Sequence, residues 1–479
     1  MDRRLTLLAA SAAALALVPG TALAAPGGPE PTPGAPGIGD PYYPLDGNGG
    51  YDVERYDLDL RYDPATDLLS GVAGLTSQAT QALSSFHLDL EGLTVESVEV
   101  DRRPATWTRD GGELVVTPAQ PLREGEDFTT VVTYSGVPAT LPDGSGFFHT
   151  DDGALVVGQP DVAATWFPAN DHPSDAASVD VSVTVPEGLE GISNGELVDE
   201  ETEDGWTTWE WEAEEPMATY LVTLAVGEFD VRSYEADGIE YWDALDPDLF
   251  GLPTTETGPS VGAVAEGALG RQPEVIGFLS DWFGPYPFEE AGGIVDDIAE
   301  LGFALETQTR PVYAPGFFYE PTGGASVVVH ELAHQWTGDS VRLARWTDIW
   351  LNEGFATYAE WLWQEREGLT TVQQQFDAYA ATPPGEELWT ITPGDPGPAL
   401  ETLFSSSVYD RGAMTLHALR VQVGDEVFRE ILRTWAGGSA GEAVTTADFV
   451  ALAEEESGQE LDALFQTWLY TPEKPAELG

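Results

Sequence analysis

Residues 330–334 of this chain are HELAH, and residues 350–356 are WLNEGFA. Eighteen residues separate His334 from Glu353. Two histidines four positions apart lie one turn apart on the same face of a helix, so both can hold one metal ion. The spacing therefore predicts a zinc site with His330, His334 and Glu353 as ligands and a fourth position open to water.

The residues around the motif predict the two helices that such a site needs. Gly338 closes a helical stretch over residues 324–337, and a second helix that starts near Asp348 presents Glu353 to the ion. We expect Glu331 to act as general base on the water at the ion. Asp348 either supports a ligand histidine or caps the second helix. The pentapeptide by itself also fits a buried helix with two hydrogen-bonded histidines, but the placement of Glu353 favours the metal site.

Composition limits the class of protein and its partners. With 479 residues, 42% of them hydrophobic, the chain can bury two cores, so we expect two domains. The 83 acidic residues against 19 basic ones give a net charge of −64, which argues against nucleic acid and anionic membrane surfaces as partners. The chain has no cysteine, so zinc ligands must come from His, Asp and Glu. The acidic surface, with Lys474 as the only lysine of the chain, fits either salt tolerance or a biased genomic composition.

The start of the chain is typical of an exported protein. Residues 1–24 carry two arginines, an apolar run over residues 5–18 and a small-x-small pattern that ends at Ala24. These features predict a signal peptide cleaved near Ala24 and a secreted product, by either the general or the twin-arginine route. The apolar run is too short for a membrane span, and we expect no membrane insertion. Residues 25–50 are rich in Pro and Gly and predict a flexible or extended leader, with the fold starting near Tyr51.

The hydrophobic pattern changes once along the chain. Alternation at residues 56–62, 179–185 and 220–226 predicts strands, and residues 51–245 are expected to form an antiparallel β domain. From residue 246 to 479 the spacing becomes helical. The predicted helices lie around residues 258–282, 324–337, 348–367, 412–435 and 445–470. The fold class is therefore α+β and multidomain, with the β domain first and a mainly helical domain after it.

Further short motifs carry a resemblance to a known family. They are FGPYPF at 283–288, WFP at 166–168, NDHP at 170–173 and VYDRGA at 408–413. Together with HELAH and WLNEGFA they resemble the gluzincin aminopeptidases, the family of aminopeptidase N and leukotriene hydrolase. The likeness spans about residues 51–475. It implies a thermolysin-like, mainly helical zinc peptidase domain over residues 246–479, one zinc ion per chain and peptide substrates with a free N-terminus.

The resemblance also implies roles for individual residues. The tyrosine of the VYDRGA motif, Tyr409, is expected to stabilise the oxyanion, although a buried structural tyrosine is the alternative. Glu306 matches the glutamate that binds the free amino group of the substrate, and the backbone at Ala304 is expected to hold the peptide. Gln159 matches a residue that joins the amine site, with an ordinary loop glutamine as the alternative.

This chain departs from the family beside the amine anchor. The family has a Gly-x-Met-Glu-Asn segment there, whereas this chain has Phe303, Leu305 and Thr307 in place of the glycine, methionine and asparagine. The pocket for the first side chain is therefore expected to differ in shape. The charge of Glu306 is kept.

The sequence thus predicts a secreted zinc aminopeptidase that acts as a monomer. Two alternatives remain at this point: a thermolysin-like endopeptidase without the amine anchor, and an inactive relative that acts as a binding module. Zinc is favoured over cobalt or manganese by ligand type. Many members of the resembled family continue into a large helical domain after the peptidase domain, so we expect this chain to be a short form with a more open cleft.

Overall fold

A computed structural model describes residues 29–141 and 144–476 of the chain. The predicted signal peptide, residues 1–24, lies outside the described residues. Within the described ranges no helix combines the length and the apolar character needed to cross a membrane.

The first part of the chain is made of β-strands, as predicted. They are β1 Thr32–Pro33, β2 Tyr51–Asp63, β3 Leu68–Ala79, β4 Leu83–Asp89, β5 Thr94–Val100, β6 Arg103–Pro104, β7 Thr106–Asp110, β8 Glu113–Thr117, β9 Asp127–Gly136, β10 Gly146–His149, β11 Ala154–Val157, β12 Ala176–Pro186, β13 Glu190–Ile192, β14 Glu196–Glu203, β15 Trp206–Ala218, β16 Leu224–Gly227, β17 Asp230–Ala236 and β18 Ile239–Leu245.

An eight-stranded sheet in the order β14-β15-β12-β2-β3-β9-β5-β6 forms the frame of this part. Alternate residues of β2 and β12 are buried on one face, which confirms the strands read from period-two alternation. Most neighbours are antiparallel, but β12 runs parallel to β2. The third predicted strand, residues 220–226, is only partly a strand, because Thr219–Leu221 forms a 3₁₀ turn before β16. All of its side chains are buried, so the alternation there did not mark an exposed face.

The second part contains the helices and a few short strands. They are α1 Val261–Leu269, α2 Gln272–Phe283, β19 Glu290–Val295, β20 Ala304–Leu305, β21 Val312–Tyr313, α3 Pro321–His334, β22 Arg342–Leu343, α4 Trp350–Arg366, α5 Val372–Ala380, α6 Glu387–Thr390, α7 Leu400–Leu403, α8 Gly412–Val423, α9 Asp425–Gly438, β23 Ala443–Val444, α10 Thr446–Ser457 and α11 Asp462–Leu469. The order of a β domain followed by a mainly helical domain confirms the predicted fold class.

One sheet crosses the predicted domain boundary at residue 245. Its strands follow the order β17-β18-β19-β21-β20, and β18 pairs in parallel with β19. The sequence assigned β17 and β18 to the first domain because they alternate like the strands before them. In the structure they belong to the sheet whose far edge, β20, leads into Glu306.

Close helix packing positions the HELAH, WLNEGFA and VYDRGA motifs. The helix α3 lies against α4, and α4 lies against α8. A β-carbon on Gly354 would come within 2.9 Å of the Gly412 backbone, so glycine is required for this approach. The π-helical turn Ser407–Arg411, which leads into α8, is thereby held against the start of α4. This contact brings Tyr409 to the site.

The prediction that the ordered fold starts near residue 51 is wrong. Residues 31–50, here called the N-terminal strap, have little regular structure, but β1 pairs with β4 and Asp40 is only 4% exposed. One oxygen of Asp40 accepts hydrogen bonds from the Trp346 amide at 2.8 Å and from His172 Nε2 at 3.3 Å. Tyr43 donates to the Pro398 carbonyl at 3.0 Å. The strap therefore joins the β domain to the helical domain.

Candidate zinc centre

The three predicted ligands converge at one point. His330 and His334 lie on α3, and Glu353 lies in the first turn of α4. The Nε2 atoms of the two histidines are 3.3 and 3.5 Å from the same oxygen of Glu353. The three ligand atoms lie within 4.8 Å of one another. Two imidazole nitrogens and a carboxylate oxygen at this spacing fit zinc.

The other ring nitrogen of each histidine is already engaged. His330 Nδ1 donates to Glu360 Oε1 at 2.7 Å, and His334 Nδ1 donates to the Thr337 carbonyl at 3.0 Å. These bonds orient each ring so that Nε2 faces Glu353, and they keep a proton on Nδ1 when Nε2 serves as a metal ligand. Glu360 was not predicted. It lies seven residues after Glu353 on the same face of α4, and that spacing is the signal that points to it.

Asp348 does not support a ligand histidine. Its two oxygens bind Arg345 Nε at 2.7 Å and the Thr446 hydroxyl at 2.6 Å. It joins the start of α4 to α10. The role beside a histidine belongs to Glu360 instead.

Burial and charge act in opposite directions on the two acids of the motifs. Burial raises the pKa of Glu353, but the charge of His334 and the hydrogen bond to His330 outweigh it and bring that pKa to about 2. Glu353 is therefore ionised, as a ligand must be. Burial raises the pKa of Glu331 to about 8, although His330 and His334 lower it. A bound cation adds to that lowering, which suits a group that takes up and releases a proton.

Tyr409 lies on the wall of the same cleft, which has a volume of about 330 Å³. Its ring stacks on His330 with a centroid distance of 5.8 Å. Burial, and then the charges of Glu353 and Glu306, raise its pKa well above the usual range. The phenol is therefore a neutral donor at the ligand cluster, which is the state that an oxyanion partner needs.

Glu306 lies in the same cleft, beside His334 and Glu331. A carboxylate oxygen of Glu306 comes within 4.8 Å of ligand atoms of both Glu331 and His334. Glu306 is 2% exposed, and Tyr220 donates to its Oε1 at 3.0 Å. Burial raises the pKa of Glu306. A substrate ammonium in the cleft would restore the charge of this carboxylate by pairing with it.

Gln335, the residue after the second histidine, holds Glu306 in place. Its Nε2 donates to the Glu306 carbonyl at 3.1 Å, and its Oε1 accepts from the Thr309 amide at 2.8 Å. The zinc helix and the segment that carries Glu306 are thereby fixed to each other. Tyr220 and Gln335 were not predicted, because their partners lie far away in sequence.

The other two predicted substrate residues also line the cleft. Ala304 lies in β20, whose partner is β21. Gln159 comes from the β domain, and its Oε1 is buried in the structure without a hydrogen-bond partner. An unpaired acceptor near Glu306 fits an ammonium donor. The cleft thus contains every site residue that the sequence predicted.

Two protein-family models match this chain. The model of the peptidase family M1 domain matches residues 321–468, and that of the peptidase M1 N-terminal domain matches residues 52–221. The chain belongs to peptidase family M1. Its relatives include aminopeptidase M1-D of Oryza sativa subsp. japonica, 28% identical over 86% of this chain and 49% of that protein. Human glutamyl aminopeptidase is 28% identical over 65% of this chain and 33% of that protein.

Solved M1 structures match over nearly their whole length. The M1 zinc metallopeptidase from Deinococcus radiodurans has 31% sequence identity and a TM-score of 0.79, with 92% of this chain and 98% of that chain covered. A mutant of it bound to a Tyr-Ser-Ala substrate has 32% identity and a TM-score of 0.80, covering 92% and 99%. By contrast, the chain spans about half the length of the curated relatives it matches, 49% for the rice protein. The M1 chains with the same two-domain extent are therefore the better structural comparison.

Proposed function

We propose that this protein is a secreted zinc aminopeptidase that removes the N-terminal residue from peptides. The observation that carries the proposal is the convergence of a His330, His334 and Glu353 cluster with a second buried carboxylate, Glu306, in one cleft. The first group fits a zinc ion and the second fits an ammonium. One zinc ion per chain is proposed, because the described residues place these three ligands around one point.

The chemistry divides between the bound ion and the side chains around it. Zinc held by the three ligands supplies a Lewis acid that polarises the scissile carbonyl and activates water. Glu331 takes the proton from the attacking water and delivers it to the nitrogen of the leaving peptide. Tyr409 donates a hydrogen bond to the carbonyl oxygen as negative charge develops there. Glu360 keeps His330 in the tautomer that the site requires.

The amine anchor makes the enzyme an exopeptidase. Glu306 and the unpaired oxygen of Gln159 accept from the ammonium of the first residue, so the scissile carbonyl is held one residue from the N-terminus. Related M1 zinc metallopeptidase mutants bound to Tyr-Ser-Ala, L-tryptophan and L-arginine are in line with this proposal, because each of these ligands has a free amine. The substrates proposed for this chain are peptides with a free N-terminus.

Location and assembly are proposed from the sequence. Export rests on the predicted signal peptide over residues 1–24, and the monomer and the absence of nucleic-acid partners rest on the net charge of −64. Size-exclusion chromatography with light scattering tests the assembly, and N-terminal sequencing of the exported protein tests cleavage near Ala24. A mature protein that keeps residues 1–24 contradicts export by signal cleavage.

The activity is tested with fluorogenic aminoacyl amides and their N-acetylated counterparts, each offered to the zinc-loaded protein. Cleavage of the free-amine compounds alone is expected. Equal cleavage of the acetylated compounds would indicate a thermolysin-like endopeptidase and remove the anchor role of Glu306. No cleavage of either set, with zinc shown to be bound, would indicate a binding module.

A further inference from the structure

One wall of the zinc cleft is aromatic. Phe303 and Phe317 line it beside Gly302 and Ala304. The Ala314 amide donates to the Phe303 carbonyl at 3.2 Å, and the Phe317 amide donates to the Ala314 carbonyl at 3.3 Å. One residue therefore ties the two phenylalanine backbones together. We call Phe303 and Phe317 the aromatic wall.

Both rings of the aromatic wall are open to a ligand. Each packs against the hydrophobic core but is only half-buried and lines the cleft. Among the described residues, neither forms a ring–ring or cation–ring contact. The neighbouring Phe318 behaves differently, since it is fully buried and meets Tyr313 edge-on at 6.0 Å. The exposed part of each ring offers apolar surface in the cleft, which is suited to an apolar side chain of the ligand.

The aromatic wall stands next to the amine anchor. Phe303 precedes Glu306 by three residues, so their α-carbons are at most about 11 Å apart even in an extended chain. The α-carbon of a first residue carries both the ammonium and the side chain. An ammonium held by Glu306 therefore keeps the first side chain in the cleft that Phe303 and Phe317 also line.

The charges of the cleft disfavour an acidic or a basic side chain on the first residue of the substrate. The described residues that line it include no arginine or lysine to receive a substrate carboxylate, and its four acidic side chains repel one. Three of these acids, Glu306, Glu331 and Glu353, lie at the zinc and amine positions. The fourth is Glu360. Its two oxygens are taken by His330 and by the Ser326 hydroxyl. A basic first residue thus finds no free carboxylate partner.

We propose that the aromatic wall is the subsite for the first side chain, and that this enzyme prefers aromatic and large apolar N-terminal residues and rejects aspartate and glutamate. The inference rests on the proposed function, because it requires cleavage next to a free N-terminus. Phe303 is its specificity-determining residue and stands where the resembled family has glycine. This chain is expected to differ here from its relative named glutamyl aminopeptidase.

The experiment compares kcat/KM for two substrate series with the zinc-loaded enzyme. One series varies the first residue as X-aminocoumarin amides, with X as Phe, Leu, Ala, Lys or Glu, and the other varies the second residue as Ala-X dipeptides. Both are measured for the wild type, Phe303→Ala, Phe303→Leu and the control Tyr319→Ala. Tyr319 follows Phe317 in the same turn but is 44% exposed and does not line the cleft.

The wild type is expected to cleave the Phe and Leu amides best and the Glu amide least. Phe303→Ala is expected to lower the Phe-to-Ala ratio about tenfold, Phe303→Leu less so, and Tyr319→Ala not at all. A Glu amide cleaved as well as the Phe amide overturns the inference, and so does a Phe303→Ala effect confined to the Ala-X series. Cleavage of the Ala amide in either case keeps the proposed function. Failure to cleave any free-amine substrate overturns both.

Discussion

Glu360 offers the sharpest test of how the zinc centre is organised. Replacing it by glutamine keeps the shape and an oxygen acceptor for His330 Nδ1 but removes the negative charge. Replacing it by alanine removes the acceptor altogether. Both variants are expected to weaken zinc binding, alanine more than glutamine, because the ring of His330 loses the partner that fixes its tautomer.

The magnitude follows from the geometry. The bond from His330 Nδ1 to Glu360 is 2.7 Å long, and the Glu360 side chain is 23% exposed. A hydrogen bond to a charged group contributes about 1.5–3 kcal/mol, and partial exposure favours the lower end. With about 1.4 kcal/mol per factor of ten, we expect roughly tenfold weaker zinc binding for Glu360→Ala and a smaller effect for Glu360→Gln, which keeps an acceptor.

The zinc dissociation constant is measured by competition with a fluorescent chelator at one pH and ionic strength. Glu430→Gln is the matched control, because it makes the same chemical change at an exposed position of α9. Circular dichroism checks that each variant is folded. Zinc affinities for both Glu360 variants equal to that of the Glu430→Gln control would refute the reasoning.

Three further predictions concern other parts of the molecule. Gln335→Ala frees the segment that carries Glu306 and is expected to raise KM for free-amine substrates about tenfold while the zinc content stays full. Steady-state kinetics and metal analysis measure the two quantities. An unchanged KM contradicts the role of Gln335 in holding Glu306. Asp40→Ala leaves the buried Trp346 amide without its acceptor and is expected to cost about 2 kcal/mol in urea unfolding, whereas the exposed control Asp59→Ala costs almost nothing. Burial raises the pKa of Asp89 from 3.8 to about 8, so the folded state binds a proton that the unfolded state releases. That contribution to stability is full below about pH 4 and is lost as the pH rises through 8. Unfolding free energies at pH 5 and 8.5 should therefore differ less in Asp89→Asn than in the wild type, and an equal difference contradicts the assignment.

The group of His330, His334 and Glu353 could be predicted from sequence because its geometry is local. A spacing of four residues on a helix fixes the relative direction of His330 and His334, and the helical pattern around WLNEGFA fixes that of Glu353. The helices themselves carry strong periodicity, and each predicted helical region contains helices in the structure. Glu360 was within reach by the same logic, since it lies two turns after Glu353 on α4.

Other features depend on contacts that no local pattern reveals. Tyr220 and Gln335 reach Glu306 across 86 and 29 positions of the chain. The N-terminal strap is a similar case. Its proline and glycine content predicts a flexible or extended leader, and composition does not reveal that Asp40 bonds to Trp346, 306 residues away. The predicted boundary at residue 245 falls inside one sheet, because strands of two different sheets follow one another with the same alternation.

The central claim is that a buried carboxylate beside a zinc site selects a free N-terminus. The most direct measurement is the ratio of kcat/KM for Phe-Ala-Ala to that for its N-acetylated form, in the wild type and in Glu306→Gln with equal zinc content. The account predicts a ratio of at least about a hundred in the wild type. In Glu306→Gln the ratio is expected to fall towards one through loss of activity on the free peptide, because the charge that binds the ammonium is gone. A ratio that stays the same in Glu306→Gln, or one near unity in the wild type, would contradict it.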